Sequence, residues 1–414
     1  MQRRRLLSKP WPCALAREML APTTACQVWF FHHKNQCRHA LIFLILEFFQ
    51  RQSTAMTARP LNIFLGRKAA QLITNQGWSG RDVSLLLGAS GGPKWLILSQ
   101  LDRLLFGRFL MQDRADALVA VGSSIGSWRH ACLSQNDPVA AIGRLEDIYV
   151  NWQYSKRLDI QEISSASIAM LDHVLGDTGA SALINHPRLH SYIVTARGRG
   201  LNSSRYRAAL ALGMGTAAIT NTAHRALLAS QFQRILFTSA AAPALPYTDF
   251  NTSQISLRDE TVTTALHASG SIPFLLAGER NVSSAPKGHY WDGGIIDYHF
   301  DLNPFAEQRL IFYPHFRGDL TQGWFDKFLP WRRHRPPLAE NLVLVCPSQD
   351  FIDSLPHGKI PDRSDFSRMS TLERVTYWRT CMERSRELAE DFQSQLNSPD
   401  PLSGTHVLKN AYRR

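Results

Sequence analysis

The feature that most constrains the fold is a series of short, almost wholly apolar runs set between much longer helical stretches. "VSLLLG" (83–88), "ALVAVG" (117–122), "LHSYIVTA" (189–196), "RILFTS" (234–239), "RLIFYP" (309–314) and "NLVLVC" (341–346) are all of strand length. A strand with one wet face alternates apolar and polar residues, whereas a near-continuous apolar run belongs to a sheet covered on both faces. The intervening segments supply the cover. In "KWLILSQLDRLLFGRFL" (94–110), Trp95, Leu98, Leu101, Leu104, Leu105 and Phe109 recur at helical spacing, and further helices are expected from Ile125, over Ala208–Ala229 and over Thr371–Leu396. The pattern predicts an α/β fold: a layered structure with a mainly parallel central sheet flanked by helices. There is no internal repeat. With 44% hydrophobic residues the chain has the material for a substantial core, which excludes disorder throughout.

The net charge of +12 invites a nucleic-acid reading until it is localised. Residues 1–59 hold nine Lys and Arg against Glu18 and Glu47, a surplus of +7, so the other 355 residues carry only +5. That is a mildly basic body with a basic extension, and no nucleic-acid partner is expected. Cys13, Cys26 and Cys37 fall in the extension and Cys132, Cys346 and Cys381 in the body, with no CxxC pair. Neither a metal site nor a disulfide framework is indicated, and a reducing, cytoplasmic setting follows. In the extension, the apolar stretch Ala40–Phe49 includes Glu47 and is only ten residues long. A membrane span needs about 20. Residues 1–57 are therefore expected to be a disordered extension or an artefact of start-site choice, with residues 58–414 as the folded body ending in a helical segment.

Three short motifs in the body carry chemistry. Gly122-Ser123-Ser124-Ile125-Gly126 follows a strand run and precedes a helix, the setting of a nucleophile elbow, whose sharp turn requires Gly122 and Gly126 beside Ser124. Upstream, "LGASGGPKWL" (87–96) places Ser90, Gly91, Gly92 and Lys94 between a strand and a helix. Successive backbone amides in such a loop suit an oxyanion. A phosphate-binding P-loop is excluded because Trp95, which has no hydroxyl, follows Lys94. Far downstream, "HYWDGGIIDYH" (289–299) holds Asp292 before Gly293, in a tight turn where a poorly solvated carboxylate gains basicity. A histidine base remains open as an alternative, with His267, His289, His299, His315 and His357 as candidates.

One further stretch breaks the alternation. Within residues 318–337, Trp324, Phe325, Phe328 and Trp331 lie beside Lys327, Arg332 and Arg333. Aromatics interleaved with cations suit peripheral contact with a membrane surface. The helical run 209–223 is a candidate lining for an acyl-chain channel.

The order of these motifs resembles the patatin-like phospholipase family: a Gly-rich oxyanion loop, a GxSxG elbow, an Ala-Ser-x-x-x-Pro segment matched by Ala268–Pro273, and a late Asp-Gly-Gly. The likeness spans residues 80–300. It implies a serine lipid acyl hydrolase of the phospholipase A or esterase type, acting on a lipid or lipid-like ester. Ser124 and Asp292 would form the dyad, Ser90, Gly91 and Gly92 the oxyanion hole, and Lys94, Gly122, Gly126 and Gly293 would support them. No metal and no organic cofactor is implied. Ser90 stands where the family has the first glycine of its triplet, and Trp95 where it has the glycine after the basic residue. These departures keep open a catalytically silent lipid-binding or scaffold protein of the same fold.

Overall fold

The computed structural model describes residues 59–112, 114–153, 159–332 and 339–408. The extension expected over residues 1–57 and Arg333 lie outside the described residues.

The strands are β1 (Leu61–Leu65), β2 (Val83–Gly88), β3 (Leu118–Ser123), β4 (Leu189–Gly198), β5 (Phe232–Thr238), β6 (Thr252–Ser256), β7 (Glu279–Arg280), β8 (His289–Asp292), β9 (Leu310–Pro314), β10 (Leu342–Pro347) and β11 (His406–Val407). They form one sheet in the order β11-β1-β10-β9-β2-β3-β4-β5-β6, with β7 and β8 off this path. The five central strands, β10 to β4, are parallel to their neighbours, while β1 and β5 join that block antiparallel. The expected mainly parallel sheet is thus the observed one. Every residue of β5, β9 and β10 is buried, which is why those runs carry no polar alternation.

All six apolar runs are strands, and helices cover them. The predicted helix over 94–110 begins as a 3₁₀ segment, Gly92–Leu98, becomes α over Ser99–Leu104 and closes with a π turn over Leu105–Phe109. The long C-terminal run divides at Ser385 into Thr371–Arg384 and Arg386–Leu396.

One register detail brings the functional motifs together. β3 pairs with the first part of β4, ending at Ser123 opposite Val194. β4 is four residues longer, and β8 occupies the rest of the same edge in the antiparallel sense, beginning with Asp292 opposite Thr195. Because β3 runs with β4 and β8 against it, their C-terminal ends meet head to head. The residue after β3 and the last residue of β8 become neighbours although 168 positions separate them.

Candidate active site

Ser124 is the turn residue between β3 and the helix Ile125–Leu133, with φ 55° and ψ −129°. This conformation is rare for a residue bearing a side chain and costs about 1–3 kcal/mol where the fold enforces it. The enforcement is visible. Its N–H donates to the Ser269 hydroxyl at 2.9 Å, and that hydroxyl donates in turn to the Val194 carbonyl at 2.7 Å. Ser127 donates to the Ser124 carbonyl at 2.6 Å. Ser269 belongs to the Ala268–Pro273 segment noticed in the sequence, where nothing indicated that it would brace the elbow. The preceding serine, Ser123, is fully buried and shares a 2.9 Å hydrogen bond with Ser90.

The Ser124 hydroxyl donates to Asp292 Oδ2 at 2.8 Å. Asp292 Oδ1 accepts the Gly294 N–H at 2.7 Å, so the carboxylate is held at both oxygens. Burial raises its pKa, partly offset by the Arg363 guanidinium, the Gly294 and Ser124 hydrogen bonds and the Lys327 ammonium. Gly293 is pressed against β4: a Cβ there would stand 2.3 Å from the Val194 carbonyl oxygen. The second aspartate of the same string, Asp297, pairs instead with the buried Arg234 guanidinium at 2.6 Å, tying the turn to β5.

The Gly-rich loop after β2 lies alongside the elbow. A Cβ on Gly126 would stand 2.0 Å from the Gly88 carbonyl oxygen, and one on Gly122 2.6 Å from Ser127 backbone atoms. Gly92 adopts φ 55°, a left-handed conformation suited to glycine. Beneath this contact a fully buried ion pair, Arg129 to Asp102 with bonds of 2.6 and 2.5 Å, clamps the elbow helix to the helix after the loop. Among the expected oxyanion donors, the Ser90 N–H is bonded to the Tyr298 carbonyl at 3.0 Å and does not face a reacting atom. The amides of Gly91 and Gly92 have no protein acceptor among the described residues. Lys94 lies 5.2 Å from the centre of the Phe316 ring and lines neither cavity at the site, consistent with supporting the loop.

Ser124 and Gly92 form part of the wall of a cavity of about 500 Å³. Its lining is mostly apolar, including Trp128, Ile163, Met170, Leu276, Phe366 and Met369. Asp292 and Ser90 line a smaller adjoining recess with Tyr298, Trp324, Lys327 and Arg363, and Arg363 borders both spaces.

Residues 105–300 match the family described as patatin-like phospholipase. Over those residues the chain is similar to patatin-like phospholipases. No curated protein and no solved structure matches it. The patatin-like segment contains Ser124, Ser269 and Asp292, whereas the Gly-rich loop, Lys327 and Arg363 fall outside residues 105–300. The family acts on lipid esters.

Several sequence expectations need correction around this patatin-like core. Helix Arg207–Ala223 does not line the cavity. Its Leu210, Met214 and Ala217 pack into a separate apolar cluster with Trp291, Ile295 and Ile296. Segments Ile160–Leu175 and 363–374 line the cavity instead, and no periodicity distinguished them. None of the five candidate histidine bases lines either space. His267 bonds Glu279, His289 bonds the Ala277 carbonyl, His299 and His315 stack edge to face, and His357 packs on Tyr377. In the aromatic-cationic stretch, Phe325 is buried, Trp324 lines the recess, and Arg332 is bound to Asn221 and Asp326. Only Phe328 and Trp331, 76% and 69% exposed, face outward among its described aromatics. No helix among the described residues is long and apolar enough to cross a membrane.

Proposed function

We propose that this chain is a serine lipid acyl hydrolase that cleaves carboxylic esters through a Ser124–Asp292 dyad. The observation that carries the reading is the 2.8 Å bond from the Ser124 hydroxyl to a buried carboxylate, at the wall of a largely apolar cavity. Asp292 accepts the hydroxyl proton as Ser124 Oγ forms a bond to the acyl carbonyl carbon. The Gly91 and Gly92 amides donate to the resulting oxyanion. When the tetrahedral species collapses, the ester C–O bond breaks and the departing alcohol takes the proton from Asp292. Water then repeats the sequence: Asp292 accepts its proton, the acyl-serine bond breaks, and Ser124 regains a proton as the fatty acid leaves. A carboxylate made more basic by burial suits this role, because it is a stronger proton acceptor than an exposed one. The apolar cavity holds the acyl chain, and Phe328 and Trp331 provide peripheral contact with a lipid surface.

The test is hydrolysis of a fluorogenic short-chain ester and of mixed phospholipid vesicles by the intact chain, Ser124→Ala and Asp292→Asn, each verified as folded. Loss of turnover in both variants, with fluorophosphonate labelling confined to Ser124, supports the reading. Absence of turnover on every ester together with no labelling of Ser124 overturns it in favour of a silent lipid-binding protein.

A further inference from the structure

A surface helix of a folded domain ordinarily turns charged and polar residues to water. Helix Arg207–Ala223 does not. From Ala208 to Ala223 the sequence holds no charged residue, although only one side of the helix packs against the body. Leu210, Met214 and Ala217 are buried, while Leu212 and Ile219, seven positions apart on the opposite side, are 64% and 74% exposed. The hydroxyls on the outer side are turned back onto the helix. Thr216 donates to the Leu212 carbonyl at 2.9 Å and Thr222 to the Ala218 carbonyl at 3.0 Å. This face can therefore leave water without orphaning a hydroxyl donor.

The apolar surface extends beyond the helix, because segments 200–203, 225–230 and 324–328 pack against it. Nine large apolar side chains are exposed among the described residues, and seven of them lie here. Besides Leu212 and Ile219 they are Leu201 and Tyr206 at the N-terminal end, and Leu227, Phe328 and Trp331 toward the C-terminal end. Arg332, next to Trp331, bonds Asn221 of the helix at 3.2 Å. The patch continues to the candidate site, since Trp324 and Lys327 of the same segment line the recess beside Asp292.

The charge around this surface has one sign. Residues 178–248 hold seven Arg and no Lys, Asp or Glu. Arg225 and Arg234 pair with Asp326 and Asp297. Arg205 and Arg207 instead stand exposed at the N-terminal end of the helix. Arg280, also exposed, joins them there through a 3.2 Å bond to the Ser203 carbonyl, while its neighbour Glu279 is turned to His267 at 2.6 Å.

We propose that the outward face of helix Arg207–Ala223, together with Phe328 and Trp331, docks the protein on a bilayer surface that carries anionic lipid. Buried apolar area and the attraction of exposed arginines to negative headgroups act together at such a surface. A face that gives up water without penalty and is edged by cations fits it. A second copy of the chain fits it poorly, because a two-fold contact would join two surfaces of the same sign. The inference extends the lipid-ester reading by naming the side of the molecule that meets the membrane, and takes from that reading only that the substrate is a lipid.

The test is flotation of the full chain with vesicles of phosphatidylcholine alone and of phosphatidylcholine with about one-third phosphatidylserine. The intact protein is expected to float with the anionic vesicles. Leu212→Gln combined with Ile219→Gln is expected to lower that partition at least about tenfold, the scale of withdrawing two large apolar side chains from lipid. Arg205→Gln combined with Arg207→Gln is expected to lower it about tenfold, and only on anionic vesicles. Val407→Gln, which removes an exposed apolar side chain from the edge strand β11, is the control and is expected to change nothing. Urea unfolding verifies that each variant is folded.

Undiminished flotation of the folded Leu212→Gln, Ile219→Gln protein overturns the inference, as does failure of the intact chain to float with either vesicle. A dimer in sedimentation equilibrium that the same double variant dissolves also overturns it, by assigning the face to a second copy. If the intact protein hydrolyses no ester, the dyad reading fails, while flotation still decides the docking face.

Discussion

The contact between Gly126 and Gly88 makes one substitution informative about both fold and catalysis. In Gly126→Ala the new methyl would stand 2.0 Å from the Gly88 carbonyl oxygen and 2.2 Å from its carbon. Both are backbone atoms that no rotamer change can move. To reach even 3.0 Å, the loop after β2 and the elbow helix must part by about 1 Å. Overpacking of this kind costs about 3 kcal/mol at the upper end of its usual range. Replacing a helical glycine with alanine returns about 1 kcal/mol. The net expectation is a loss of about 2 kcal/mol.

The catalytic effect is larger than the loss of stability. The displacement separates the Gly91 and Gly92 amides from Ser124, and a misplacement of about 1 Å costs on the order of 100-fold in rate. Urea unfolding followed by tryptophan fluorescence reads the first quantity. Ester hydrolysis, normalised to the fraction folded, reads the second. Gly215→Ala is the control, since a methyl there meets nothing within 4 Å on an exposed helical face. It is expected to stabilise the protein by up to about 1 kcal/mol and leave the rate unchanged. A Gly126→Ala protein with an unshifted urea midpoint and full activity would refute the packing of loop against elbow.

Other outcomes follow from the same geometry. Asp292→Asn keeps the shape of the turn but removes the proposed base, so hydrolysis is expected to fall by about 10³-fold. Its folded-state pKa is raised, so stability from this group is greatest below the ordinary value of 3.8 and is lost as pH rises through the folded value. Asp292→Asn should therefore melt above the intact protein near neutral pH, with the gap closing in acid, and differential scanning calorimetry across pH checks the sign. On the proposed mechanism, in which only the ionised Asp292 accepts the Ser124 proton, the acid limb of kcat/KM of the intact protein should lie above the ordinary carboxylate range. Ser269→Ala leaves the buried Ser124 N–H without its acceptor, at a cost of about 1–3 kcal/mol. It is expected to lower kcat with little change in KM, and Ser269→Thr should restore part of the rate. Met170→Trp fills part of the cavity and is expected to shift preference toward shorter acyl chains, measured as kcat/KM over an ester series.

Much of the frame was legible without coordinates, for physical reasons that are local. A strand covered on both faces must be apolar along its whole length, so β2, β3, β4, β5, β9 and β10 stood out, whereas β6, half-buried at the sheet edge, and the two-residue β7 and β11 did not. A left-handed turn between strand and helix requires small neighbours, which marked Ser124 through Gly122 and Gly126. From its local sequence Asp292 reads as a carboxylate in a glycine turn, and only the order of motifs ties it to Ser124. What brings it to Ser124 is the pairing of β3 and β8 end to end on one edge of β4, and strand register is a property of the assembled sheet.

The remaining site features depend on distance in space alone. The Ser90 amide bonds Tyr298, Ser269 braces an elbow 145 positions away, and the cavity at Ser124 is walled by segments 160–175 and 363–374 rather than by the apolar helix 207–223. Arg363 stands in an exposed polar stretch that no motif distinguishes, and only packing puts its guanidinium against Gly92. Residue type and spacing determine what a backbone segment can be, because those constraints act within a few residues. Which groups face one another across the site is decided by how the sheet and its covering segments close, and no local pattern encodes that.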